Sequence, residues 1–203
     1  MTTVLLIVVG YLAGSLPSGY WVVRAFKHVD IRTVGSGNIG ATNVWRTYGR
    51  WYGAPVVLLD VLKGFVPAFV ATQTVGHLAG VLAGGAAMLG HARPIFLKFE
   101  KGGKMVATCG GAFFGVAPLV AVTALASWII VFLLLRYASV ASIVAGLLLA
   151  PLAVGFGEPW PVWGFGAIAG IAVLVLHRAN LKRLVRGKEH RFQLRRRSVP
   201  VSS

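Results

Sequence analysis

Residues 105–135 read MVATCGGAFFGVAPLVAVTALASWIIVFLLL, thirty-one residues without one Asp, Glu, Lys or Arg, and the way this stretch divides decides the fold. As a single helix it would extend about 46 Å at 1.5 Å per residue, well beyond a hydrocarbon core of about 30 Å. Gly115 and Pro118 offer a place to turn. Split there, the stretch predicts two spans rather than one, and the parity of everything downstream follows.

Working outward, further apolar runs lie at 4–23, 54–72, 75–90, 138–156 and 161–176. Met1, Thr2 and Thr3 lead directly into the first run without a basic leader, so that run reads as a retained first helix kinked at Pro17 and its glycines. Several runs are short and rich in small residues, which favours close helix packing. The chain is 57% apolar and 12% charged, with a mean hydropathy of +0.77, far more apolar than a soluble domain needs. The expectation is an all-α, polytopic membrane protein with seven transmembrane helices and Gly-rich loops. It forms one membrane domain over 1–190, followed by a basic, flexible tail over 191–203.

Charge sets the orientation. Of twenty Lys and Arg, five fall in 24–53, four in 91–104, one at Arg136 and nine after the last span; Lys63 alone lies inside a span. With seven spans all four clusters share one side. The positive-inside rule makes that side the cytoplasm and puts the N-terminus outside. A formal charge of +15 could suggest nucleic acid, but a nucleic-acid binder needs a soluble basic face, and here the aromatics sit mostly within apolar runs. The single cysteine, Cys109, excludes an intramolecular disulfide, and neither it nor the scattered histidines give metal-ligand spacing.

Two clusters carry dense small polar residues. The first contains Gly35-Ser36-Gly37-Asn38-Ile39-Gly40-Ala41-Thr42-Asn43 and then Arg46. Glycines let backbone N–H groups approach an anion, Ser36, Asn38, Thr42 and Asn43 add side-chain donors, and Arg46 supplies a fork suited to phosphate. A plain Gly/Asn turn with a capped helix remains the alternative. The second ends in Lys101-Gly102-Gly103-Lys104 at the start of a span, where free N–H groups, the helix dipole and two ammonium groups favour an anion. It is not a Walker A loop, because the opening Gly and the closing Ser or Thr are missing; Met105 follows Lys104.

Arg136, Ser139 and Ser142 recur every three residues and share one helix face, lining either a polar pocket or an ordinary interface. After the last span, His177 and Asn180 share a face, with Arg178, Arg183 and Glu189 nearby. Attraction to anionic lipid is the simpler reading of such a tail, and the reading given to Arg195–Arg197. Asp60 and Lys63, three residues apart within a span, predict an intramembrane ion pair, with a structural role the simpler reading and a part in shaping the site the alternative. His77 reads as a core histidine, and His91 as a residue that caps or orients the phosphate loop.

Gly35 to Arg46, Gly90 to Thr108, and His177-Arg178-x-Asn180-x-x-Arg183-Leu184-x-x-Gly187-x-Glu189 together resemble the three signature blocks of the bacterial acyl-phosphate:glycerol-3-phosphate acyltransferases. Asp60 to Gly64 and Arg136-Tyr137-x-Ser139-x-x-Ser142 resemble further elements of that family, and the likeness runs to about residue 190. Two departures lie in the second block, where the family has Phe-Lys-Gly-Gly-Lys-Gly. Here Glu100 is an extra residue before Lys101, and Met105 stands in place of the last Gly.

The resemblance implies acyl transfer from acyl phosphate to the 1-hydroxyl of sn-glycerol 3-phosphate, giving lysophosphatidic acid and phosphate at the bacterial inner membrane, with a cytoplasmic active site. No cofactor or metal is expected. Ser36, Arg46 and Lys104 are the candidate catalytic residues. Lys101, Gly102, Gly103 and Lys104 would cradle the acyl-phosphate head, with their N–H groups and Ser36 or Arg46 forming the oxyanion site. His177, Asn180, Arg183 and Ser142 would hold glycerol 3-phosphate. Gly37, Asn38, Thr42, Asn43, His91, Ser139 and Glu189 complete the substrate-binding set. Membrane lipid is the expected environment, nucleic acid is not a partner, and a transient contact with the enzyme that makes acyl phosphate is a further expectation. The competing class is a transporter of small organophosphate anions. Against it stand the absence of an inverted repeat and the crowding of polar blocks on one face.

Overall fold

The structure, a computed structural model, describes residues 1–192; the tail from 193 onward, including Arg195–Arg197, lies outside the described residues. Among the described residues every regular element is helical. The residue 105–135 stretch is two helices, α6 (Val106–Val116) and α7 (Pro118–Leu135), broken at Ala117. Pro118 opens α7 because a first-turn residue needs no N–H partner.

The chain begins with α1 (Thr2–Gly14) and α2 (Ser18–Lys27), interrupted around Pro17, then the short α3 (Ala41–Tyr48) and the long α4 (Arg50–Thr74). It continues through α5 (His77–Ala92), α6, α7, α8 (Ala138–Gly155), α9 (Trp160–Leu176) and α10 (Arg178–Val185). Four helical stretches are long and apolar enough to cross a membrane: Thr2–Lys27 taken through its break, α4, α7 and α8. The bent α9–α10 pair makes a fifth. At 11 residues, α6 rises only about 16 Å, half a hydrocarbon core. His77 is not a core residue: it is the exposed first residue of α5, directly after Gly76 at φ 121°.

Small residues let the helices meet backbone to backbone. A methyl on Gly64 would lie 2.0 Å from the Thr108 carbonyl oxygen, and one on Gly111 2.0 Å from that of Val61, so α4 and α6 pack with nothing between them. The centre of the bundle is apolar: Phe113 stacks on Phe165 at 5.1 Å among Val120, Val162 and Leu149. The outside is apolar too, with Leu134 and Ile168 about 70% exposed. A surface of that kind is stable only against lipid.

Candidate active site

Among the described residues, members of all four basic clusters meet at one end of this bundle. The loop between α2 and α3 touches the loop between α5 and α6 twice: Asn38 Nδ2 donates to the Gly102 carbonyl at 3.4 Å, and Arg32 pairs with Glu100. Lys104, just before α6, donates from Nζ to Asn180 Oδ1 on α10 at 2.5 Å. The chain after α10 folds back over the start of α8: Ser139 donates to Glu189 at 2.9 Å, and the Phe192 N–H donates to the Arg136 carbonyl at 2.8 Å. Arg46 on α3 lies over the Phe192 ring at 5.9 Å.

Glu189 is the hub. Its Oε1 accepts from Ser139 and from Asn180 Nδ2 (2.7 Å), and its Oε2 from Arg183 Nε (2.9 Å). Burial pushes its pKa up, but the hydrogen bonds from Asn180, Ser139 and Arg183 outweigh that and hold it below the ordinary value. Because Asn180 gives its amide N–H to Glu189, its oxygen is turned to Lys104. Glu189, which the sequence places in the substrate-binding set, thus orients the three side chains that donate to it.

Around that carboxylate the field is strongly positive. Burial lowers the Lys104 ammonium from its ordinary 10.5 to about 8; Glu189 opposes the shift, while Arg183, Lys101 and Arg46 add to it. Arg46 is lowered by the same burial and by Arg183, and its Nε has no hydrogen-bond partner among the described residues. A buried guanidinium N–H without an acceptor is costly, and the oxygen of an anion bound there would supply one.

The first loop is built around Asn43. Its Oδ1 accepts the Ser36 N–H at 2.9 Å, and its Nδ2 donates to the carbonyls of Val34 and Asn38. Gly35 and Gly37 take positive φ of 62° and 68°, and a methyl on Gly35 would strike Asn43 Oδ1. Asn43 is therefore the loop's internal brace, while Ser36, Gly37 and Thr42 are exposed at its surface. The Asn38 Oδ1 is occupied by the Gly40 N–H.

Several side chains point elsewhere than the sequence suggests. The Gly102 and Gly103 N–H groups are not free for an anion: they donate to the carbonyls of Ala92 (2.9 Å) and His91 (3.0 Å) at the end of α5. Lys101 and Lys104 thus offer their ammonium groups without those two amides. His91 is buried behind the loop rather than open to it. Ser142 donates to the Ala138 carbonyl (2.6 Å) and accepts from Trp128 Nε1 (3.1 Å), an arrangement that ties α8 to α7. His177 is buried with Nδ1 2.8 Å from the Val173 carbonyl. Asp60 and Lys63 do pair, at 2.8 Å inside α4.

The two departures in the second block have structural correlates. Glu100 reaches Arg32, which Asp30 also grips, and Lys98 and Phe99 just before it both take positive φ. Met105 has φ 67°, a left-handed conformation that favours glycine.

Residues 4–187 match the sequence family described as glycerol-3-phosphate acyltransferase. The chain is 43% identical to the glycerol-3-phosphate acyltransferase of Aquifex aeolicus, over 95% of this chain and all of that protein. It is 46% identical to that of Geobacter sulfurreducens, over 95% and 99%. The fold superposes with a TM-score of 0.91 on the crystal structure of an integral membrane glycerol 3-phosphate acyltransferase in its glycerol 3-phosphate form. That protein is 42% identical, with 95% of this chain and 96% of that one covered. The lysophosphatidic acid form of that enzyme gives 0.89. With matched blocks, matched length and matched fold, the chain belongs to the glycerol-3-phosphate acyltransferase family of integral membrane enzymes.

Proposed function

We propose that this enzyme transfers a fatty acyl group from acyl phosphate to the 1-hydroxyl of sn-glycerol 3-phosphate, releasing lysophosphatidic acid and inorganic phosphate. The observation that carries the reading is the convergence of Arg46, Lys101, Lys104 and Arg183 on one end of the bundle, where each phosphate of the two substrates needs compensating charge. The solved relative in its glycerol 3-phosphate and lysophosphatidic acid forms supports the acceptor and product.

The chemistry asks little of the protein beyond placement. The 1-hydroxyl oxygen forms a bond to the acyl carbon, the carbon–oxygen bond to phosphate breaks, and the hydroxyl proton passes to a phosphate oxygen. Acyl phosphate is already activated, so holding both substrates and stabilising the developing oxyanion is sufficient. Lys104 and Lys101 hold the acyl-phosphate head. Arg46, whose Nε has no partner among the described residues, and the exposed Ser36 serve the oxyanion, with Gly37, Asn38 and Thr42 shaping that loop and Asn43 bracing it, while His91 braces the loop of Lys101 and Lys104. Asn180, Arg183, His177 and Ser142 hold glycerol 3-phosphate, with Glu189 and Ser139 keeping Asn180 and Arg183 in register. Gly102 and Gly103 contribute by letting the loop lie flat on α5.

The chain crosses the bacterial inner membrane seven times, α5 and α6 being short crossings. All four basic clusters face the cytoplasm and the N-terminus lies outside, as the positive-inside rule requires. Ser36→Ala and Lys104→Ala, each assayed as purified enzyme with palmitoyl phosphate, should lose at least about 100-fold in turnover, the scale of one lost oxyanion or phosphate donor. Unchanged turnover in both would overturn the site. Flux of glycerol 3-phosphate into liposomes without acyl donor would favour transport instead.

A further inference from the structure

Phosphate binding uses the loop that carries Lys101 and Lys104, yet three buried polar groups beneath it have no part in that chemistry: Asp60, Lys63 and His91. Lys63 Nζ lies 2.8 Å from Asp60 Oδ1 and donates to the Leu16 carbonyl at 2.9 Å, in the break between α1 and α2. His91, on α5, points Nδ1 at the same Asp60 oxygen from 3.7 Å. The far edge of its ring lies against the loop: a methyl on Gly103 would sit 1.9 Å from His91 Nε2 and 2.5 Å from Cε1. The His91 carbonyl also holds the Gly103 N–H at 3.0 Å. The next residue is Lys104, whose ammonium reaches Asn180.

A carboxylate on α4, a ring on α5 and the Gly103–Lys104 turn thus form one continuous stack. Compared with apolar side chains, a buried ion pair adds little net stability, so what the pair contributes here is a fixed charge facing one edge of the ring. We propose that Asp60, paired with Lys63, fixes the orientation of the His91 ring, and that the ring sets the height of the Gly103–Lys104 turn. Asp60 and His91 are then positioning residues for Lys104. This rests on the reading of Lys104 as a ligand of substrate phosphate.

Two readouts on the purified full-length enzyme test it: the rate of reductive methylation of the Lys104 amine, followed by mass spectrometry, and the split of kcat from KM for acyl phosphate. The double variant Asp60→Leu/Lys63→Leu removes both charges together and keeps the site apolar. It should melt close to wild type but methylate at Lys104 several-fold faster, with kcat/KM about tenfold or more lower through KM. Wild-type methylation in a folded double variant overturns the proposal. Should that variant fail to fold, His91→Phe decides: it keeps a ring but offers Asp60 no nitrogen, so faster methylation supports the proposal and a wild-type rate overturns it. The two readings fail separately. If wild type makes no product from acyl phosphate while Lys104 methylation responds to the variants, the proposed function falls and the positioning stands. If product forms and methylation does not respond, the positioning falls alone.

Discussion

Lys104 should impose an alkaline limit on catalysis. Burial holds its ammonium at about 8 instead of 10.5, opposed by Glu189 and reinforced by Arg183, Lys101 and Arg46. A single group with that pKa is about nine-tenths protonated at pH 7 and about one-tenth at pH 9, so kcat/KM should fall about tenfold across that interval. The substrates do not account for such a limb, because the second ionisation of a phosphate monoester lies near 6 and is complete before it begins. Unfolding through this lysine does not account for it either. Its folded pKa is below the unfolded value, so between about pH 8 and 10.5 the unfolded chain binds the extra proton and Lys104's contribution to stability rises with pH. The assay is initial-rate kcat/KM for acyl phosphate, which reports the ionisation of the free enzyme, from pH 6 to 10, corrected for spontaneous hydrolysis of acyl phosphate. Lys104→Arg, whose guanidinium stays charged throughout, should be slower but lack the limb. A flat wild-type profile to pH 10, or a limb that survives in Lys104→Arg, would refute the reasoning.

Three further outcomes follow from the same geometry. Glu189→Ala leaves Asn180 and Arg183 without their shared acceptor, and steady-state kinetics should show a 10- to 100-fold loss in kcat/KM, on the scale of about 1.5–3 kcal/mol for a hydrogen bond to a charged group. Gly64→Val and Gly111→Val force α4 and α6 apart where a methyl already meets a carbonyl oxygen at 2.0 Å; each should lower Tm in detergent by about 5 °C or more, the effect of overpacking by some 1–3 kcal/mol. Glu100→Ala should shift Tm by no more than about 2 °C, because the Glu100 side chain is 60% exposed and Arg32 keeps its grip on Asp30.

The break at Ala117 was legible because helix length, bilayer thickness and the missing N–H of Pro118 are all local facts. The meeting of the basic clusters was legible through charge parity. What a hydrogen bond does was not. Ser142 looks like a pocket residue on spacing, but its partner Trp128 comes from the neighbouring helix. Lys-Gly-Gly-Lys reads as a row of free amides until the end of α5 takes two of them. The apolar run at 75–90 concealed that His77 starts a helix rather than sitting within one, since Val75 and Gly76 form the break between α4 and α5 and carry no charge to mark it. Dividing residues 105–135 predicts two spans, but hydropathy does not show how short the crossings are: α5 has 16 residues and α6 only 11, each less than a full crossing.

The central claim is that two phosphates meet among Arg46, Lys101, Lys104 and Arg183 and that acyl phosphate is the donor. The direct measurement is product formation by the purified protein in detergent, supplied only with palmitoyl phosphate and glycerol 3-phosphate, with chelator present and coenzyme A absent. Stoichiometric lysophosphatidic acid and inorganic phosphate are the expected products. No lysophosphatidic acid under those conditions, or its formation only when acyl coenzyme A is added, would contradict it.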